Sequence, residues 1–119
     1  NREHEFNESE KRIEDEVHKF MKDIDIHDWG WRFLKVMPDD KMIWHIDSPH
    51  HAPCSINIAL KDPSPIVFDD GKFSYKCALI GVSDTWHTVK SGKEERLTFK
   101  IIPKAPFEEV KQKLKDYLL

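Results

Sequence analysis

The chain of 119 residues has only two cysteines, Cys54 and Cys77. Two are too few for a disulfide framework, and their spacing matches no zinc-binding pattern. Both are expected to be free thiols in a reducing, cytoplasmic setting. Long apolar runs are also missing. No stretch approaches the length of a membrane span, no secretory leader pattern opens the sequence, and no membrane partner is expected. A strong charge of one sign is absent too. A formal net charge of −3, with no basic stripe interleaved with aromatics, gives no reason to expect a nucleic-acid partner. Repeats, low-complexity tracts and linkers do not occur, so residues 1–119 are expected to form one domain. A chain of this length can bury a single core without metal or disulfide staples.

What is present falls into three zones. Residues 7–24 carry Ile13, Val17, Phe20, Met21 and Ile24 at helical spacing, with Asn7 and Glu10 placed to form a capping box. Residues 106–119 repeat the pattern with Phe107, Val110, Leu114 and Leu118, and Pro106 suits the first helical position. Both helices read as covers for a sheet. Between them, turn signals separate eight short β candidates, near 31–37, 41–47, 54–60, 65–69, 72–76, 77–81, 85–90 and 95–102. Asp70-Gly71 is the strongest hairpin signal. Strands at such regular spacing predict a mainly β fold: a sandwich, barrel or jelly roll.

Alternation along two of these strands sorts their side chains. In "MIWHID", Ile43, His45 and Asp47 share one face, while Met42, Trp44 and Ile46 share the other. In "RLTFKI", Arg96, Thr98 and Lys100 oppose Leu97, Phe99 and Ile101. Each strand thus has an apolar face suited to a helix cover. The His, Asp, Arg and Thr side chains lie on the other face, which is either solvent or the inside of a cavity.

His45-x-Asp47 is a weak metal signal by itself, because about 0.7 such pairs arise by chance in a chain of this composition. His87, in "DTWHTVK", is the best third ligand. Two imidazoles and a carboxylate form a facial triad that leaves positions open for a bidentate co-substrate and for O2. Zn²⁺ accepts the same donors, and surface histidines beside a solvated Asp are the bland alternative. Arg96 shifts the balance towards a ligand site. It follows His87 by nine residues, with Thr98 two further on the same face. An arginine fork beside a hydroxyl suits a carboxylate, so metal at one end and Arg96–Thr98 at the other would hold a dicarboxylate end to end.

Together, "WHIDSPHHAPCSINIAL" and "CALIGVSDTWHTVKSGKEERLTFKI" resemble the iron(II)- and 2-oxoglutarate-dependent oxygenase superfamily, in particular aspartyl/asparaginyl β-hydroxylase-like and related small bacterial or phage members. The resemblance covers roughly residues 31–102. It implies a double-stranded β-helix (a cupin-like jelly roll of about eight strands) flanked by the terminal helices. It implies His45, Asp47 and His87 as Fe(II) ligands, and Arg96 and Thr98 as the anchor for the distal carboxylate of 2-oxoglutarate. The implied reaction is hydroxylation of a C–H bond with O2, on an unidentified peptidyl or small-molecule substrate.

Two rivals stay open at this level. One is a non-catalytic jelly-roll module that binds a ligand or serves structure; the other is a cupin-like metalloenzyme that uses no 2-oxoglutarate. Among the remaining conspicuous residues, Trp44 is expected in the core, and Trp29 and Trp31 in the core or between helix and sheet. Trp86 could equally pack or line a pocket mouth. His50 and His51 read as exposed loop residues. Asn57 and Tyr75, read on central strands, could contact a co-substrate. His4, His18 and His27 belong to no constellation.

Overall fold

The computed structural model describes residues 7–38, 45, 53–61, 65–81, 86–89 and 94–119. The expected strand at 41–47 falls outside them except for His45, and Asp47, Trp44, His4, His50 and His51 also lie outside the described residues.

Helix α1 (Glu8–Asp23) starts where its caps dictate. The Asn7 side chain accepts the Glu10 N–H at 2.9 Å, and the Glu10 carboxylate accepts the Asn7 N–H at 3.2 Å. Caps of this kind are worth about 1 kcal/mol. The helix ends in a Schellman turn: the Ile26 N–H bonds to the Met21 carbonyl and the Asp25 N–H to that of Lys22. Asp25 takes the left-handed position, φ 60°, where glycine is usual. His27 and Lys113 hold its carboxylate there, and chiefly the hydrogen bond from His27 keeps its pKa below the ordinary value. Lys113 also donates to the Asp25 carbonyl at 2.6 Å, which ties α2 (Phe107–Leu118) to the end of α1. Pro106 is the residue before α2 and not its first helical residue, because its ψ of 149° is still extended.

Seven strands are described: β1 (Trp29–Val36), β2 (Cys54–Lys61), β3 (Ile66–Phe68), β4 (Gly71–Phe73), β5 (Cys77–Gly81), β6 (His87–Val89) and β7 (Arg96–Pro103). The remaining candidate, 41–47, contributes a single-residue bridge, His45 to His87, among the described residues. Strands β1-β7-β2-β5 form one antiparallel sheet, in that order, and β4-β3-β6 form a second. The β3–β4 hairpin turns on Asp69-Asp70 and not on Asp70-Gly71, since Phe68 pairs with Gly71. Gly71 then opens β4 with φ 153°, which a side chain would resist.

The larger sheet sends alternate residues to opposite sides. Cys54, Ile56, Ile101, Trp29, Trp31 and Phe99 face the helices, where Val17, Met21 and Val110 complete the main core. Trp31 also donates through its indole N–H to Glu14 of α1. The Phe107 ring of α2 lies over Gly81 of β5, within ordinary contact distance of where a Cβ would stand. A smaller core of Ile66, Ile80 and Val89, with Phe68, Tyr75 and Ala78, lies between the two sheets. Both cysteines are free. Register separates them by four residues along β2, about 13 Å at strand spacing, which is beyond disulfide reach.

Met21 has no exposed surface and sits where α1 meets the large sheet. Met21→Ala should cost about 2–5 kcal/mol by opening a cavity there. Urea unfolding measures this; an unchanged midpoint would place the stabilising core elsewhere.

Candidate functional site

The polar face of β7 is interior. Arg96, Thr98 and Lys100 are 2%, 1% and 7% exposed, and Ser55 and Asn57 on the neighbouring strand β2 are buried beside them. Charged side chains are rarely this buried unless they are hydrogen-bonded or paired. Arg96 Nη1 donates to Thr98 Oγ1 at 2.7 Å, and Nη2 donates to the Tyr75 hydroxyl at 3.2 Å. The same hydroxyl accepts from Asn57 Nδ2 at 3.0 Å, and Asn57 Oδ1 accepts from Ser55. The plane of the Arg96 guanidinium is thereby fixed from two sides.

Opposite this face, the small sheet supplies the histidines. His45 and His87 exchange two backbone hydrogen bonds, each 3.0 Å. Such a pair stands directly opposite across the ladder with both side chains on one face. Their ring centres are 4.3 Å apart. Two imidazoles binding one divalent ion at adjacent positions, with bonds of about 2.1 Å, would hold their centres roughly 4.5 Å apart. The described pair therefore suits two adjacent ligands. Among the described residues no group of three His, Cys, Asp or Glu side chains converges, and the third expected ligand, Asp47, lies outside them.

His45, His87, Arg96, Asn57 and Tyr75 line one cavity of about 80 Å³ between the sheets, together with Arg32 and Lys100. A larger cleft of about 400 Å³ lies on the helix side, against Ile13, Val17, Phe33 and Phe99. It is apolar and offers no metal-binding or proton-transfer group beyond Glu16. Cys54 is also outside the inter-sheet cavity. Burial pushes its thiol up to about 11, so it stays protonated at neutral pH.

The structure thus brings three of the five sequence-derived site residues to one cavity, His45 and His87 on one wall and Arg96 on the other, with Thr98 buried behind and bonded to Arg96. Tyr75 reaches the site from the segment between β4 and β5, not from a strand. Trp86, ahead of His87, is 56% exposed. Trp29 and Trp31 pack between helix and sheet as expected. Sequence reasoning gave no role to Lys100, although alternation with Arg96 placed it on this face. Arg32 was missed because nothing local distinguishes it; only its pairing with Lys100 turns it to the cavity. No family model, no curated protein and no solved structure matches the chain.

Tyr75→Phe removes the acceptor shared by Arg96 and Asn57 and should cost about 1–2 kcal/mol. Equilibrium unfolding measures it, and a variant as stable as the parent would show that Tyr75 does not hold the guanidinium.

Proposed function

We propose that the chain is an Fe(II)- and 2-oxoglutarate-dependent oxygenase that hydroxylates a C–H bond of a peptidyl or small-molecule substrate. One observation carries this reading: the adjacent His45 and His87 rings line the same cavity as the buried Arg96, which Thr98 holds from behind. The strand order supports a jelly roll. With the His45 bridge counted as the second of eight strands, the larger sheet runs first, eighth, third, sixth and the smaller runs fifth, fourth, seventh, second. Two four-stranded antiparallel sheets that share the chain in this way are the jelly-roll pattern.

In this reading His45, His87 and Asp47 hold the ion through neutral imidazoles and a carboxylate. When bound, Fe(II) supplies the activation of O2, coupled to decarboxylation of 2-oxoglutarate to succinate and CO2 and to insertion of the second oxygen atom into the C–H bond. The protein's own residues do the positioning. Arg96, its plane set by Thr98 and Tyr75, takes the distal carboxylate as a charge-assisted pair. The Thr98 hydroxyl adds a second polar contact. The two sheets keep bulk water from the reacting end, which strengthens each of these contacts. A reducing, cytoplasmic location belongs to the same reading, and two free thiols are compatible with it.

Arg96→Ala should raise the dissociation constant for 2-oxoglutarate by at least about tenfold, because a lost buried charge-assisted contact costs on the order of 2–5 kcal/mol. Metal binding should stay nearly unchanged. Arg96→Lys should rescue in part, keeping the charge without the planar fork. Anaerobic calorimetry with Mn²⁺ in place of Fe²⁺ makes the comparison, with circular dichroism confirming that each variant folds. Equal affinity in Arg96→Ala and parent would put the anchor elsewhere, and a parent that binds no 2-oxoglutarate would make the cavity that of a binding module.

A further inference from the structure

Strand β1 is an edge of the large sheet. It pairs with β7 along its whole length, Trp29–Val36, without a bulge, and no described strand lies on its other side. An unbroken edge of this length without proline is a template for another strand. Its middle is open: Arg32, Phe33 and Lys35 are exposed, Phe33 to 47%. Phe33 shares a row across the sheet with Phe99 and Ile58, which carries the apolar helix-side cleft out to this edge.

Symmetry and charge limit what this edge can take. In a two-fold antiparallel pair of β1 strands, one residue stands opposite its own copy. Centring the pair on Arg32 or on Lys35 would set like charges directly opposite, which is destabilising. Centring it on Phe33 sets two aromatic rings opposite, Arg32 opposite Leu34, and Trp31 opposite Lys35. That register also supplies a cation where one is wanting. The Trp31 indole donates to the half-buried Glu14 carboxylate, which has no ion pair among the described residues. Lys35 of the same chain is about 13 Å away along the strand, beside Glu95 at 3.1 Å. Lys35 of a second copy would stand across from Trp31, within reach of its ring face and of Glu14.

We propose that the chain forms a two-fold dimer through β1, centred on Phe33, in which Lys35 of each copy meets Trp31 and Glu14 of the other. The occupant is a second copy and not any extended peptide, because the copy returns both the aromatic centre and a cation at the required spacing. Arg32 and Leu34 line the inter-sheet cavity, so each copy's β1 also borders the cavity of the other. The inference stands independently of the oxygenase reading.

Sedimentation equilibrium of the full chain over a wide concentration range tests it, with circular dichroism confirming that each variant folds. The parent should fit a monomer–dimer equilibrium. Phe33→Glu, which sets two carboxylates face to face at the axis, should weaken the dimer at least about tenfold. Lys35→Glu should weaken it too, and adding Glu14→Lys to that variant should restore it in part, because the reversed charges meet only between copies. With Cys77→Ser as background, Phe33→Cys should form a disulfide-linked dimer on mild oxidation, and Lys35→Cys should not. A parent that stays monomeric at the highest soluble concentration overturns the proposal. So does a dimer that Phe33→Glu leaves as strong as the parent's, or one that Lys35→Cys cross-links as readily as Phe33→Cys.

Discussion

Strand β7 lies between β1 and β2, and its strict two-residue alternation divides the molecule. Phe99 and Ile101 turn outward to the helices, while Arg96, Thr98 and Lys100 turn inward. A one-residue slip of this strand would put three polar side chains under the helices and the aromatic and aliphatic ones into the cavity. The register against both neighbours is therefore the constraint on which core and site alike depend. The helices secure it from outside, where Met21 and Val110 are fully buried against the sheet.

The inner face is costly for a protein of this size. Moving charges out of water costs several kcal/mol per ion unless hydrogen bonds and partners replace the solvent. The chain offsets part of that cost for Arg96 with Thr98 and Tyr75, and it builds a second layer behind them from Asn57 and Ser55. A core shaped for stability alone would be filled by apolar side chains, as the helix side is. Polar groups already oriented around a cavity are what a binding site requires, because their ordering cost is met on folding and not on binding.

Much of this was legible in the sequence where the signal is local. The Asn7–Glu10 box and the stripe through Val17 and Met21 marked α1 to within a residue. Alternation in "RLTFKI" correctly separated Arg96, Thr98 and Lys100 from their apolar neighbours. Non-local features were harder to read. That His45 and His87 pair across strands depends on register over more than forty residues of chain. Arg32 turns inward only because it pairs with Lys100, and its own strand reads as a mixture. Tyr75 was assigned to a strand on composition, yet it does its work from a connecting segment, where its hydroxyl can reach across to Arg96. The hairpin shift from Asp70-Gly71 to Asp69-Asp70 has a backbone cause, since Gly71 is needed for its positive φ at the first position of β4.

The central claim is that one cavity holds iron on the histidine wall and 2-oxoglutarate between that wall and Arg96. Anaerobic addition of Fe(II) and 2-oxoglutarate to the purified chain tests it by absorption spectroscopy. The account predicts a weak visible charge-transfer band when both are present and none with either alone. In His87→Ala the band should be lost while circular dichroism stays that of the folded parent. A parent without the band, or one whose band survives in both His45→Ala and His87→Ala, would contradict it.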